Sequence, residues 1–201
     1  MKKLFLLTAL AVAVLGKSAF AADFPITAVI PAATTVNFIV SEVTPGPTPA
    51  FAAHPGNNLT FDMGYLSGPG IWVGKKFFAI DLSPANGANP APGVYGSISF
   101  SYSGQTVPAG QAPAEGLNRR ATLAAVRVNS NATETVLLKG PIGSAFASLN
   151  NASVAGGFLR VYVGTATGET GVNEILGSVP FTNADKPGTY AGTLTITATL
   201  I

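Results

Sequence analysis

The sequence predicts an all-β sandwich with Greek-key connections, on three observations. Apolar and polar side chains alternate with a period of two along most of the chain, which places them on opposite faces of extended segments. Turn formers are abundant, with 23 Gly and 15 Pro in 201 residues. Only 10% of the residues are charged while 47% are hydrophobic, a balance that excludes disorder and disfavours solvent-exposed helices.

The first segment reads as an export signal rather than part of the fold. Lys2 and Lys3 precede an apolar run from Leu4 to Leu15, and Ala19-Phe20-Ala21 carries small residues at the two positions a signal peptidase reads. The run is shorter than the roughly 20 apolar residues a membrane-spanning helix needs, so a short membrane anchor is the weaker alternative. Cleavage after Ala21 leaves Ala22–Ile201 as the expected mature chain. Residues 1–21 hold Lys2, Lys3 and Lys17. Their removal turns the net charge of +2 slightly negative, so the basic balance of the whole chain is no argument for a nucleic-acid partner. The chain has no cysteine, so stability in an oxidising compartment cannot come from disulfides.

Residues 22–44 form the longest alternating stretch. Phe24, Ile26, Ala28, Ile30, Ala32, Thr34, Val36, Phe38 and Val40 share one parity, with Pro25 and Pro31 on the other. Proline cannot donate to a ladder and suits an edge or an added strand. So apolar a segment must lie against something. It is either the first strand of its own sandwich or a strand added to a neighbouring molecule, in which main-chain hydrogen bonds hold it and alternate side chains fill pockets. Pro45-Gly46-Pro47-Thr48-Pro49 ends it as a loop, and a sandwich domain over 45–201 follows.

Further strands are expected at Leu59–Met63, Lys76–Leu82, Val94–Tyr102, Ala121–Val128, Thr135–Lys139, Phe158–Val163 and Ile175–Phe181, with one helical turn within Ser144–Val154. Ser83–Pro92 and Ser103–Gly116, rich in Gly, Pro, Ala and Asn, read as loops. In Val94–Tyr102 the apolar Val94, Ile98, Phe100 and Tyr102 oppose Ser97, Ser99 and Ser101. After the Pro187-Gly188 turn, Tyr190, Leu194, Ile196, Ala198 and Leu200 alternate with Ala191, Thr193, Thr195, Thr197 and Thr199 up to Ile201. Pro92-Gly93-Val94-Tyr95 echoes Pro187-Gly188-Thr189-Tyr190, as two tandem small domains would. A turn-into-strand signature shared within one domain explains it more simply.

No catalytic, cofactor or metal site is expected. His54 is the only histidine, set in a loop composition at Ala52-Ala53-His54-Pro55-Gly56, and cannot build a metal cluster without cysteines. No Gly-x-Ser-x-Gly elbow and no phosphate-binding Gly-rich loop occur. Glu169 and Glu174 form a carboxylate pair of the sort a glycosidase uses, though in a Gly/Thr loop a surface role is the plainer reading. Trp72, the only tryptophan, reads as a core or interface aromatic before a sugar platform. The acceptor triplets at Asn58, Asn131 and Asn151 carry no weight in so Asn- and Thr-rich a chain.

Two segments resemble the CS1/CFA-I type fimbrial major subunits, the alpha class of chaperone–usher pilins. Ile26-Thr27-Ala28-Val29-Ile30 and Val36-Asn37-Phe38-Ile39-Val40 are similar to the family's N-terminal extension, with Pro31 before Ala32-Ala33 where the family has Asp-Pro. Pro187-Gly188-Thr189-Tyr190-Ala191-Gly192-Thr193-Leu194-Thr195-Ile196 is similar to its Gly-x-Tyr-x-Gly last strand. The resemblance implies an immunoglobulin-like sandwich that lacks its final strand and is completed by a donor strand from a neighbouring subunit. It implies that Phe24, Ile26, Ala28 and Ile30 are the donor residues. Tyr190, Leu194, Ile196, Ala198, Leu200 and Ile201 would form the acceptor groove and chaperone contact. It implies as partners copies of the same chain in a head-to-tail filament, a periplasmic chaperone, an outer-membrane usher and a tip subunit. The location implied is the cell surface, as part of an adhesive fimbria reached through the periplasm. A tip adhesin or secreted carbohydrate-binding sandwich is the alternative; an esterase-like or glycosidase enzyme is disfavoured by the missing motifs.

Overall fold

In the computed structural model the described residues are 36–46, 48–61, 63, 65–66, 70–84, 95–165 and 179–200. They form antiparallel β-structure with three short helical turns. The strands are β1 Val36–Thr44, β2 Ala50–Ala53, β3 Tyr65–Leu66, β4 Trp72–Val73, β5 Phe77–Pro84, β6 Tyr95–Thr106, β7 Ala121–Asn129, β8 Glu134–Pro141, β9 Gly157–Thr165 and β10 Ala191–Leu200. A six-stranded sheet has the order β2-β1-β5-β9-β7-β8, and a two-stranded sheet pairs β10 with β6. Strands β3 and β4 form a small separate ribbon.

Alternation decides which side chains reach the core. On β5, Phe78, Ile80 and Leu82 face β6 and β10, while Phe77 and Ala79 take the opposite face. On β9, Leu159, Val161 and Val163 face inward with them. Strand β7 is central, and six consecutive residues, Ala121 to Val126, are buried. Leu123 and Ala125 enter the main core, and Ala124, Val126 and Val128 join Phe77, Ala79, Val43 and Tyr162 on the outer face. That face also carries Arg160 of β9, which forms two hydrogen bonds to Asp81 of β5 at 2.7 and 2.9 Å. Burial of the guanidinium works against its charge, but Asp81 and Tyr162 beside it outweigh this and raise its pKa.

Two bulges shape β6. The register steps from Ser97↔Thr199 to Tyr95↔Leu200, leaving Gly96 as an extra residue. Tyr95 therefore turns to the same side as Ile98 despite opposite parity, is buried, and donates its hydroxyl to the Leu82 carbonyl at 3.1 Å. Near the other end β6 has two residues, Gly104 and Gln105, against the single Gly192 of β10 between Ala191↔Thr106 and Thr193↔Ser103, and Gly104 supplies a φ of 64°.

The structure changes several expected boundaries. Val36–Thr44, expected within the arm 22–44, pairs antiparallel with β5 from Val36↔Pro84 to Val43↔Phe77 and belongs to this chain's own sheet. A boundary at Pro45 would cut through that sheet. Leu59–Phe61 is not a strand, while Ala50–Ala53, of which Ala52-Ala53 was read as loop composition, pairs with Ser41–Thr44. The loop expected from Ser103 begins only after Thr106. The expected helical turn is Asn151–Val154, capped by Asn150 accepting from the Ser153 amide at 3.2 Å. Residues 1–35, Val94, Glu169, Glu174, 175–178 and Ile201 lie outside the described residues. Among the described residues no helix is long and apolar enough to cross a membrane.

Candidate functional site: an apolar groove beside the last strand

Strand β10 turns Leu194, Ile196 and Ala198 onto the main core and its threonines outward. The threonines pair across the outer face with the β6 serines, Thr193↔Ser103 through Thr199↔Ser97. Among the described residues β10 is hydrogen-bonded to β6 alone, so its other edge presents unpaired main-chain donors and acceptors. Ten residues at about 3.4 Å each make that edge about 34 Å long.

Beside it lies a groove of about 1230 Å³. The six-stranded sheet contributes Val40, Ile80, Ala121 and Val163 to it, and β10 contributes Leu194 and Ile196. Phe38 of β1 reaches it with 41% of its surface still exposed. Phe61, Met63 and Trp72 close another side. In Leu59–Phe61, Leu59 and Phe61 are half-buried and Thr60 exposed with no strand assigned, and Phe61 packs edge-on to Phe78 with ring centroids 5.5 Å apart. One end is polar, built from Asn183, Asp185 and Lys186.

The residues leading into β10 are tied down on two sides. Trp72 N donates to Phe181 O at 2.8 Å and Asn183 N to Gly70 O at 2.9 Å. Phe181 is buried and meets Tyr190 edge-on at 4.7 Å, and the Tyr190 hydroxyl donates to Lys186 O at 2.8 Å. Burial, with the Asp185 charge adding to it, raises the Tyr190 phenol pKa. The glycine of the Tyr190-Ala191-Gly192 motif has a steric explanation. The Tyr102 side chain crosses β10 there and donates to Ala191 O at 3.3 Å, and a Cβ at residue 192 would overlap its hydroxyl. Burial raises the Tyr102 phenol pKa as well.

Of the expected groove residues, Tyr190, Leu194 and Ile196 line the groove. Ala198 packs on the core farther along β10. Leu200 pairs with Tyr95 through its backbone, and Ile201 lies outside the described residues. The donor residues Phe24, Ile26, Ala28 and Ile30 also lie outside them. Val36, Phe38 and Val40, read with the arm, lie on β1 of this chain's own sheet, where Val36 packs on the core and Phe38 and Val40 line the groove. Sequence reasoning did not find Phe61, Ile80, Tyr102 or Phe181 as groove residues. They come from five separate segments with Trp72, and only the tertiary fold brings them together.

Other candidates have structural settings. His54 Nδ1 lies 3.8 Å from Glu42, Nε2 lies 2.8 Å from Asn58 O, and the ring packs edge-on to Phe78 at 5.0 Å. Glu42 also pairs with Lys76 at 2.9 Å. Trp72 lines the groove. Among the described residues no three His, Cys, Asp or Glu side chains converge as metal ligands would. No family model, curated protein or solved structure matches this chain.

Proposed function

We propose that this chain is a structural pilin subunit whose groove accepts an extended segment of a neighbouring copy. The observation that carries the reading is the apolar groove along the unpaired edge of β10. Two chemistries meet there: main-chain groups needing partners and apolar pockets needing side chains. An added strand with alternating apolar residues supplies both.

The strand order supports a domain one strand short. The run β1-β5-β9-β7 follows the A-B-E-D order of an immunoglobulin-like sheet, and β6-β10 follows its C-F pair. The seventh strand, G, would lie on the free edge of β10. Phe24, Ile26, Ala28 and Ile30, which precede β1, have the alternation such a strand requires. A contact in which one copy's arm fills the next copy's groove is heterologous and non-closing, so it propagates into a filament. On this reading a periplasmic chaperone covers the groove before assembly, an outer-membrane usher exchanges it for the arm, and a tip subunit ends the surface fimbria.

Arm variants provide the test. Ile26→Asp or Ile30→Asp would bury an unpaired carboxylate, costing more than the roughly 1–3 kcal/mol of an unpartnered neutral group. Thr27→Asp faces the other way, because one residue flips the face. Electron microscopy should show filaments for the parent and Thr27→Asp and few or none for the two isoleucine variants. Equal assembly by all of them rejects the arm as the inserted strand.

A further inference from the structure

We infer that Arg120 is a positioning residue for strand acceptance: a buried latch that fixes the segment leading into β10 and, through it, the width of the groove. The inference rests on the groove being a strand acceptor.

Arg120 ends the helical turn Leu117–Arg120, and the next residue, Ala121, begins β7 and lines the groove. Its guanidinium reaches across to the 180–186 segment. Nη1 donates to Pro180 O, and Nη2 donates to Asp185 Oδ1 at 2.9 Å and Glu115 Oε2 at 2.6 Å. The Arg120 and Asp185 side chains are only 8% and 6% exposed. Asp185 passes the restraint on: Oδ2 accepts from Thr182 N at 2.7 Å, and Oδ1 also accepts from Gln111 Nε2 at 3.0 Å. Gln111 Oε1 in turn accepts from Lys186 N at 2.9 Å. Lys186 O holds the Tyr190 hydroxyl, and Tyr190 is one residue before β10.

One side chain at the entrance to β7 therefore grips the 180–186 segment, which leads toward β10, at both Pro180 and Asp185. The groove lies between these two parts, so their separation sets the space an incoming strand finds. A buried ion pair gives little net stability against an apolar substitute, because desolvation offsets the attraction. What the guanidinium adds is direction: a planar fork addresses a carbonyl and two carboxylates at fixed angles, which an ammonium cannot do. Such a residue suits geometry more than overall stability.

The test compares filaments of the full chain carrying Arg120→Lys with the parent and with Arg127→Lys. Arg127 donates to Ala155 O at the opposite end of β7 and serves as control. Two readouts are taken: the half-time of filament dissociation in warm detergent, and amide hydrogen exchange resolved along the chain. The latch predicts dissociation about tenfold faster for Arg120→Lys, about 1.4 kcal/mol in barrier, with exchange rising in 180–192 and unchanged in β7 and β9. Arg127→Lys should match the parent. A uniform rise in exchange makes Arg120 an ordinary fold residue and overturns the inference. So does parent-like dissociation, which leaves strand acceptance standing. Parent protein that forms no filament removes strand acceptance itself. Should Arg120→Lys fail to fold, Gln111→Ala loosens the same segment. It should show the same local rise at smaller amplitude, and its absence counts equally against the latch.

Discussion

Replacing Gly192 with alanine isolates one steric contact on the groove wall. The added Cβ would overlap the Tyr102 hydroxyl and lie 2.6 Å from Cε2, so the ring must move. Overpacking of this kind costs about 1–3 kcal/mol. Displacing the ring also loses the hydroxyl's bond to Ala191 O, worth about 0.5–1.5 kcal/mol. Loss of unfolded-chain freedom on Gly→Ala offsets about 0.4–1 kcal/mol. The net expectation is a destabilisation of about 2 kcal/mol, within about 0.5–4, or a melting point lower by about 4–8 °C at the central value in a domain of this size. Thermal melting of the purified protein, followed by circular dichroism, gives the value. Tyr102→Leu removes the obstructing ring end, so Gly192→Ala should cost little in that background and the pair should couple by about 1 kcal/mol or more. An unchanged melting point for Gly192→Ala, or strict additivity of the pair, refutes the reasoning.

Three further outcomes follow from the same structure. Leu159→Ala empties a fully buried site between the sheets and should destabilise by about 2–5 kcal/mol in denaturant unfolding, far more than Thr197→Ala on the outer face of β10. The Tyr162 phenol is raised from its ordinary 10.0 by burial and by its bond to Glu134 at 2.5 Å. The unfolded chain then releases above pH 10 a proton that the fold retains. Stability is independent of this group below that pH and falls as pH rises beyond it, and Tyr162→Phe should reduce the steepness of that fall. On the strand-exchange proposal, residues 22–201 expressed without a periplasmic chaperone should aggregate or be degraded because the groove edge is uncovered; recovery of a stable monomer with the arm packed in its own sheet would count against strand exchange.

The all-β architecture was legible because alternation survives wherever a strand has one core face, as in β6 and β10. Two-sided burial turns β7 into a small-residue apolar run, still legible as the strand expected at Ala121–Val128 and found at Ala121–Asn129, whereas β2 has four exposed residues with no pattern to detect. Leu59, Phe61 and Met63 alternate like a strand, but Leu59–Phe61 lacks a pairing partner and its apolar side faces the groove instead. Tyr95 defeats parity because the bulge at Gly96 reverses its face. One wall of the groove was visible from Tyr190, Leu194 and Ile196. The opposite wall was misassigned, because Val36, Phe38 and Val40 continue the arm's parity without a break. The structure separates them by pairing β1 with β5.

The most direct test of strand exchange uses the absence of native cysteine, which lets introduced thiols report a single contact. Thr27→Cys in the arm is combined in one chain with Thr193→Cys, Thr195→Cys or Thr197→Cys, each on the exposed face of β10. Residues directly opposite on paired strands have Cα atoms about 4.5–5.5 Å apart, within disulfide reach. After mild oxidation of the purified protein, strand exchange predicts that one combination gives a ladder of covalent oligomers on a denaturing gel. Cross-links confined to the monomer, or none in any combination, contradict it.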